Sequence, residues 1–480
     1  MSSAASSWRS MSRSASCGLW KSQTYRPRKK KTEAIRQEVA REIEQLLRTA
    51  FTGLRKTGHL DLEAMEMLVR SAMHQAGASV LTGLLRFPAP DQRLMPCPCG
   101  QQAQYQELRS KSVLTVVGTV EVQRPYYLCA HCHAGQFPAD QGLDIAHTEF
   151  SPGVRRMQAL VGQDGSFDHG RQQMKLLAGL KVTTKSVERG AETIGADIVR
   201  DEQEQIDRCV QLDLPIIVGE PVPMLYVQMD GTGVPVVKKE TVGRQGKLDG
   251  LPAHTREAKL GCVFTQTTWD QEGYAIRDPD STTYTGAIEN AAQFGKRLYV
   301  EAWKRGWSRA QKKVVLGDGA EWIWNIAQEH FPGAIQIVDL YHARQHLWDL
   351  ARLLYPNDTK RRNAWMGLHQ KRWLDKGKVS KLVASLHSIQ TPDADLAKKI
   401  RNEAAYCDSN AARMNYPKFR KQHLFVGSGV IEAGCKTVIG HRLKQSGMFW
   451  TVNGANSIIA LRCSHLNGRF EDYWERRRAA

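Results

Sequence analysis

The chain has 480 residues and a mass of 54.0 kDa, which is too long for one ordinary domain and predicts a large central domain with smaller attachments. Its hydrophobic fraction of 41% allows a sizeable core, and no apolar run approaches the ~20 residues that span a bilayer, so we expect a cytoplasmic protein with no membrane segment. The net charge of +18 favours a polyanionic partner, most simply nucleic acid, over a basic surface that serves only solubility.

The first 88 residues predict a disordered basic arm followed by N-terminal helices. Residues 1–32 are rich in serine and contain no acid before Glu33, which favours a disordered arm over an organelle transit peptide. In residues 33–88, apolar side chains such as Ile35, Val39 and Ile43 recur at helical spacing. These helices either belong to a core or pair with another copy of the chain.

Residues 89–145 predict a zinc ribbon. Two strand-like runs, separated by a predicted turn at Gly118-Thr119, bring together two cysteine pairs: Cys97, Cys99, Cys129 and Cys132. Four thiolates suit a structural Zn²⁺, which a short chain needs in order to fold. Because the Cys97-x-Cys99 spacing is tight, His131 or His133 could replace one ligand. The alternative is a chance group of free thiols.

Residues 150–200 predict a helix-turn-helix that binds DNA. Gly179 is expected to end the first helix, and Thr183 is expected to cap the second. The start of the second helix carries four candidate DNA contacts: Thr184, Lys185, Ser186 and Arg189. Helical hairpins are common in protein cores, and that alternative remains open.

Residues 220–475 predict an α/β domain built on a mixed sheet. Three hairpin-connected strands come first, and helices and strands then alternate, which indicates a sheet with helices on its faces. Residues of about 356–425 show no strand pattern and are rich in Lys, Arg and Trp. They predict a helical insertion within this domain.

Three acids in this domain are candidate metal ligands. Asp230 lies near the end of the first predicted strand, Asp318 follows a second strand, and Glu432 comes early on a late helix. Carboxylates are the ligands that Mg²⁺ or Mn²⁺ prefers, and two such ions can activate an attacking oxygen and stabilise a leaving oxygen. Taken singly, Asp-Gly is a common turn and a helical glutamate is usually solvated.

A further pair, Asp339 and His342, follows another predicted strand. Asp339 would lie at the same edge of the sheet as Asp318 if the two strands are parallel neighbours. The pair either supports a reacting centre or caps the helix that begins there.

Over residues 90–465, the chain resembles DDE transposases of bacterial insertion sequences, of the IS-Kra type in the Mutator-like superfamily. The matching stretches are "CPCG…CAHC", "MDGTG", "REAKLG", "GDGAEWIW", "DLYHARQHL" and "GSGVIEAGCK…MFWTVNGANSIIALR". The resemblance implies an RNase H-like domain with a helical insertion before the last acid, and Asp230, Asp318 and Glu432 as the metal-binding triad. Asp339 and His342 match the Cys/Asp-x-x-His motif of that superfamily, which favours a supporting role over a simple helix cap.

The expected function is therefore DNA transposition in the bacterial cytoplasm, at the nucleoid. The protein would bind the terminal repeats of its element as a homo-oligomer, hydrolyse a phosphodiester with Mg²⁺ and join the freed 3′-OH to target DNA. Arg442 and Lys444 are expected to hold phosphates, and Trp450 to stack on an unpaired base. The alternatives are an RNase H-fold nuclease without strand transfer and a non-catalytic DNA-binding regulator derived from a transposase.

Overall fold

The computed structural model describes residues 29–57, 61–246 and 253–479. The described chain divides into two compact units, one that ends at Val154 and one that begins at Arg155. The predicted arm, residues 1–32, lies outside these ranges except for its last residues, which belong to the first helix. Within the described ranges, no helix is both long enough and apolar enough to cross a bilayer.

The first unit combines helices with a four-stranded antiparallel sheet in the order β1-β2-β3-β4. Its elements are α1 (Lys29–Thr57), α2 (Leu62–Leu84), β1 (Leu94–Pro96), β2 (Gln102–Thr115), β3 (Gly118–Cys129), β4 (Gly135–Gln136) and α3 (Pro138–Gly142). Strands β2 and β3 form the predicted hairpin. Thr115 pairs with Gly118, so the turn is Val116-Val117, two residues before the predicted position. The distal half of the hairpin buries Val113, Val120 and Val122.

Three helices precede the second sheet: α4 (Pro152–Asp164), α5 (Phe167–Ala178) and α6 (Thr184–Val210). Gly179 ends α5 in the left-handed conformation, with φ of 68°. Thr183 caps α6 through the backbone N–H of Ser186, as the sequence predicts. Helix α6 is longer than the predicted second helix, and it packs along a later helix of the same unit.

The second unit contains a five-stranded mixed sheet in the order β11-β10-β5-β6-β9. Its strands are β5 (Val222–Pro235), β6 (Thr255–Gln266), β9 (Thr283–Ala287), β10 (Ala310–Gly317) and β11 (Ile335–Val338). Strands β5, β6 and β9 are antiparallel neighbours, whereas β10 is parallel to both β5 and β11. Two short strands, β7 (Thr268–Trp269) and β8 (Ala275–Ile276), form a separate hairpin. This mixed α/β architecture is compatible with an RNase H-like fold.

Helices cover the sheet and form the predicted insertion. The helices around the sheet are α7 (Ala291–Lys304), α8 (Glu321–His330), α9 (Leu340–Leu354), α14 (Gly429–Gly434), α15 (His441–Leu443), α16 (Val452–Leu466) and α17 (Phe470–Ala479). The insertion contains α10 (Thr359–Met366), α11 (Val379–Ser388), α12 (Ala394–Ser409) and α13 (Tyr416–Arg420). A π-helical stretch, Cys435–Gly440, joins α14 to α15.

Candidate functional site

The register of the sheet places Asp230 and Asp318 side by side. Leu316 on β10 is paired with Gln228 on β5, and each acid lies two positions further along its strand direction. The sequence predicted that Asp230 lies near the end of its strand, and this prediction is wrong. Strand β5 continues beyond Asp230 to Pro235, where it is still paired with β6. Strand β10 ends at Gly317, so the edge opens beside Asp230 only on the β10 side.

Asp230 is half-buried and lies among other acids. Its Oδ1 accepts a hydrogen bond from the N–H of Gly231 at 2.7 Å, and Cys435 Sγ lies 3.6 Å from its Oδ2. Burial raises the pKa of Asp230, and the negative charges of Asp318 and Glu432 raise this pKa further against the effect of the Gly231 N–H. Asp318 and Glu432 therefore both lie close enough to Asp230 for their charges to act on its carboxyl.

Glu432 is exposed on α14, and polar contacts hold its side chain and the start of its helix in place. Ser428 Oγ donates to Glu432 Oε1 at 2.8 Å. Gln228, a buried residue on β5, accepts from the N–H of Ile431 at 3.1 Å and donates to the carbonyl of Gly427 at 3.4 Å. The strand that carries Asp230 thus also positions the start of the helix that carries Glu432.

Asp339 both caps a helix and contacts the candidate site. It is completely buried, and its Oδ1 accepts from the N–H of His342 at 2.8 Å at the start of α9. Its Oδ2 accepts from the N–H of Ser428, the residue whose hydroxyl binds Glu432. The two alternatives for Asp339 are therefore not exclusive, because the same carboxylate fixes α9 and the turn that leads to Glu432.

The helical insertion reaches the acids through helix α12, which the sequence did not indicate. Tyr406 donates its hydroxyl proton to the backbone carbonyl of Asp318 at 2.9 Å. Gly319, with φ of 100°, allows this approach because a Cβ at that position would overlap the tyrosine ring. The ring of Tyr406 stacks on His346, which in turn contacts His342.

The three carboxylates suit a hard divalent cation in their chemistry. The repulsion that Asp318 and Glu432 exert on Asp230 is the electrostatic condition that a bound cation relieves. Among the described residues, the ligand atoms that lie close enough together to hold one ion belong to a cluster of cysteines and not to these three acids. The three acids are thus neighbours at one sheet edge, but their carboxylate oxygens are not as close together as the sulfur atoms of the four cysteines.

The cysteine cluster contains the four predicted zinc ligands. The sulfur atoms of Cys97, Cys99, Cys129 and Cys132 all lie within 4.8 Å of one another. Two of the Sγ–Sγ distances are 3.5 and 3.7 Å, close to the roughly 3.8 Å that tetrahedral Zn–S bonds of about 2.3 Å require. The thiols can therefore hold Zn²⁺ without His131 or His133, whose side chains are exposed.

Backbone geometry around these thiols also favours an anion. The N–H of Cys132, followed by that of His131, lowers the pKa of Cys129 to about 6. The pKa of Cys97 is instead raised to about 12, despite the N–H of Cys99, because burial and three neighbouring thiols oppose its ionisation. A divalent cation would allow all four to ionise together.

The four candidate DNA contacts on α6 separate into two classes. Thr184 donates to Asp168 at 3.0 Å, and Ser186 completes the helix cap with Thr183. Lys185 and Arg189 are exposed, and Lys185 forms a surface ion pair with Glu188 at 2.7 Å. Thr184 and Ser186 therefore have local structural partners, whereas the two cations face solvent.

Two of the later candidates are buried, and their predicted DNA contacts are wrong for this structure. Arg442 is completely buried, donates to the carbonyl of Gly162 at 2.9 Å and lies over the rings of Phe167 and Trp450. Trp450 is 6% exposed and donates its Nε1 proton to the carbonyl of Leu443 at 3.1 Å. Neither side chain can meet a phosphate or stack on a base, whereas Lys444 is exposed and hydrogen-bonded to Thr232.

The insertion presents a basic segment, residues 371–381, anchored to helix α9. Its exposed cations are Lys371, Arg372, Lys376, Lys378 and Lys381. Asp375 in the same segment accepts two hydrogen bonds from Arg344 on α9, at 3.0 and 2.9 Å. Arg344 lies five residues beyond Asp339, or roughly 7 to 8 Å along the helix axis, so this ion pair holds the basic segment near the acidic sheet edge.

Comparisons with known proteins add little to this geometry. No protein-family model matches the chain, and no curated protein matches it in sequence. Among solved structures, the chain is similar to the Drosophila P element transposase strand transfer complex, with 9% identity and a TM-score of 0.22 over 67% of this chain and 80% of that chain. A likeness at that TM-score does not establish a shared fold or function, so a proposed function has to rest on the residues of this chain.

Proposed function

We propose that the chain is a DDE transposase that cleaves DNA at the ends of an insertion sequence and transfers the freed ends to target DNA. The observation that carries this proposal is the convergence of Asp230, Asp318 and Glu432 at one edge of the mixed sheet. These three carboxylates would hold Mg²⁺ or Mn²⁺, which when bound supplies charge neutralisation at the phosphodiester and activation of the attacking oxygen.

The remaining residues of the site position the acids. Gln228 and Ser428 fix the turn and the carboxylate of Glu432, and buried Asp339 fixes Ser428. Tyr406 holds the backbone of Asp318. Because each acid is restrained by a separate partner, little reorganisation is needed when a substrate and cations arrive.

The partner that we propose is DNA, because the basic segment 371–381 and Lys444 present exposed cations on the unit that carries the three acids. The basic segment 371–381 and Lys444 would contact phosphates close to the cleavage site. Lys185 and Arg189 would contact DNA at the start of α6, in the manner of a recognition helix. An insertion sequence has two ends, so we also propose that a homo-oligomer acts on them together.

The function is tested with purified protein, Mg²⁺, a target plasmid and labelled DNA from both flanks of the gene that encodes the chain. Nicking at one defined position in each flank, followed by joining of the labelled 3′ end to the plasmid, is the expected result. Nicking without joined product would instead identify a nuclease, and binding without nicking would identify a DNA-binding regulator.

DNA binding is tested with paired substitutions of equal charge. We expect Lys185→Gln/Arg189→Gln and Lys371→Gln/Arg372→Gln each to weaken DNA binding and to flatten its dependence on salt. Each lost phosphate contact reduces the slope of log K against log [salt] by about 0.9. Fluorescence anisotropy on a flank duplex and a scrambled duplex, at several salt concentrations, measures both effects.

The matched control is Lys398→Gln/Lys399→Gln, because these exposed lysines lie in the same insertion, on α12. If all three double variants bind equally, bulk charge explains the affinity and neither surface is a DNA contact. A loss of preference for the flank duplex in the first variant alone would identify α6 as the sequence-reading helix.

A further inference from the structure

Helices α9 and α12 form a hydrogen-bonded chain of two histidines and a glutamate beside Asp318. His342 and His346 lie one turn apart on α9, and their Nε2 atoms are 3.1 Å apart. Glu403 on α12 lies 2.9 Å from Nδ1 of His346. The insertion thus supplies the acidic end of a chain whose other end, His342, follows Asp339 at the sheet edge.

The positions of the protons in this chain follow from simple donor and acceptor rules. An ionised carboxylate can only accept, so Nδ1 of His346 carries the hydrogen that meets Glu403. Between the two Nε2 atoms there is room for one hydrogen. When both rings are neutral, that hydrogen belongs to His342, and Nδ1 of His342 is then an acceptor.

We propose that Glu403, His346 and His342 form a proton relay that accepts the proton of the attacking oxygen; this inference rests on the proposed phosphodiester reaction. The O–H bond of water, or of the 3′-OH in strand transfer, breaks as the new P–O bond forms. The proton binds Nδ1 of His342, while the Nε2 proton of His342 moves to Nε2 of His346. The P–O3′ bond breaks, and the leaving oxygen takes a proton from solvent.

In this relay, His342 is the residue that meets the substrate, and His346 and Glu403 are positioning residues. After transfer, the positive charge resides on His346, next to the carboxyl group of Glu403. The stacked ring of Tyr406, with centroids 4.3 Å apart and planes 5° apart, keeps His346 in the plane that both hydrogen bonds require. Tyr406 also binds the backbone of Asp318, so relay and acid are fixed by one side chain.

The surroundings of His346 support this assignment. The charged and titratable groups that act on it are Glu403, Asp349 and Asp318, with His342 and Tyr406 in contact. Burial lowers the pKa of His346, but the hydrogen bond and charge of Glu403 outweigh burial and leave the pKa above its ordinary value. A raised pKa is what a ring that must store a proton needs.

The test compares pH–rate profiles of single-turnover nicking for the wild type, Glu403→Gln and His346→Gln. Glu403→Gln removes the charge that holds the stored proton, so we expect the acid limb to move to lower pH. The plateau rate should fall by roughly 10- to 100-fold, because a positioning residue supports only part of the roughly 10²- to 10⁴-fold that general-base catalysis contributes. A purely structural pair predicts a lower rate with the acid limb unmoved. His330→Gln, which changes a half-buried histidine on α8, is the matched control and should leave the profile unchanged.

A second readout uses the full chain without metal or DNA. Selective ¹⁵N labelling of histidine should show His346 titrating above its ordinary range in the wild type and at lower pH in Glu403→Gln. Unlinked titration of His342 and His346 would overturn the relay even if the protein cleaves DNA. Linked titration in a protein that never nicks DNA would leave the proton chain standing and remove the proposed function, so the two failures are distinguishable.

Discussion

Replacing any one of Asp230, Asp318 and Glu432 with alanine is expected to abolish DNA nicking and to leave DNA binding largely intact. Metal-assisted charge stabilisation amounts to several kcal/mol, and each 1.4 kcal/mol corresponds to about a tenfold change in rate, so we expect a loss of roughly three orders of magnitude or more. Single-turnover nicking in Mg²⁺ measures the rate, and anisotropy on the same duplex measures binding. Near-wild-type nicking by one variant would remove that residue from the triad.

The matched control is Glu329→Ala, which removes an exposed acid from α8 without touching the acidic sheet edge. Isosteric variants separate loss of function from loss of folding. Asp230→Asn should nick as poorly as Asp230→Ala while it folds like the wild type. A variant that binds DNA and melts normally but does not nick can have lost only the chemical step.

The raised pKa of Asp230 gives this variant a pH signature in metal-free protein. A carboxyl whose pKa is higher in the folded state than in the unfolded state stabilises the fold at low pH, and this contribution is lost as pH rises through the folded-state value. At neutral pH the ionised Asp230 therefore costs stability, and Asp230→Asn should melt at the same or a higher temperature than the wild type. Thermal melts at pH 7 and pH 3 should show this advantage at pH 7 and its loss at pH 3, below the ordinary pKa of an aspartate.

Loss of one zinc ligand is expected to have a large effect on the stability of the first unit. Cys129→Ser or Cys132→Ser should release the metal and unfold the end of the hairpin that carries the cysteines. That end buries only Cys97, Ala103, Tyr127 and Cys129, too little apolar surface to fold unaided. Structural zinc contributes about 10–16 kcal/mol in small zinc domains, so nothing in this end of the hairpin can replace it.

The unfolding should stop within the hairpin. Val113, Val120 and Val122 pack in a separate cluster with Ile145 and side chains of α2. Hydrogen exchange should therefore become fast at residues 94–105 and 126–136 and stay slow at residues 111–122. Cys209→Ser, at a half-buried cysteine elsewhere, is the control and should retain the metal. Freshly purified wild-type protein that contains no zinc would rule out the metal site.

Features set by neighbouring residues could be predicted from the sequence. The cysteine pairs, the cap at Thr183 and the helix end at Gly179 depend on spacing within a few residues. Apolar side chains also marked the strand that contains Asp230 and the strand that ends just before Asp318. The full length of β5 could not be predicted, because its extension beyond Asp230 depends on pairing with β6.

Features set by contacts distant in sequence were missed or wrong. Asp339 binds a residue 89 positions later, across the whole insertion, and His346 binds one 57 positions later, within the insertion. Arg442 and Trp450 are a cation and an aromatic residue, which are the residue types that commonly contact nucleic acid. Their burial against Phe167 depends on packing between α5 and the end of the chain, which no local pattern reports.

Helix α6 touches the sheet unit so closely that it cannot move independently. A side chain at Gly195 would overlap the backbone of Ser457 on α16, and buried Arg442 ties α4 and α5 to the same place. The distance from the start of α6 to the acidic sheet edge is therefore set by the fold and not by a linker. If both regions bind the same DNA, the cut falls a fixed number of base pairs from the sequence that α6 reads. Inserting half a helical turn of DNA between these two positions would place the phosphodiester on the wrong side of the duplex.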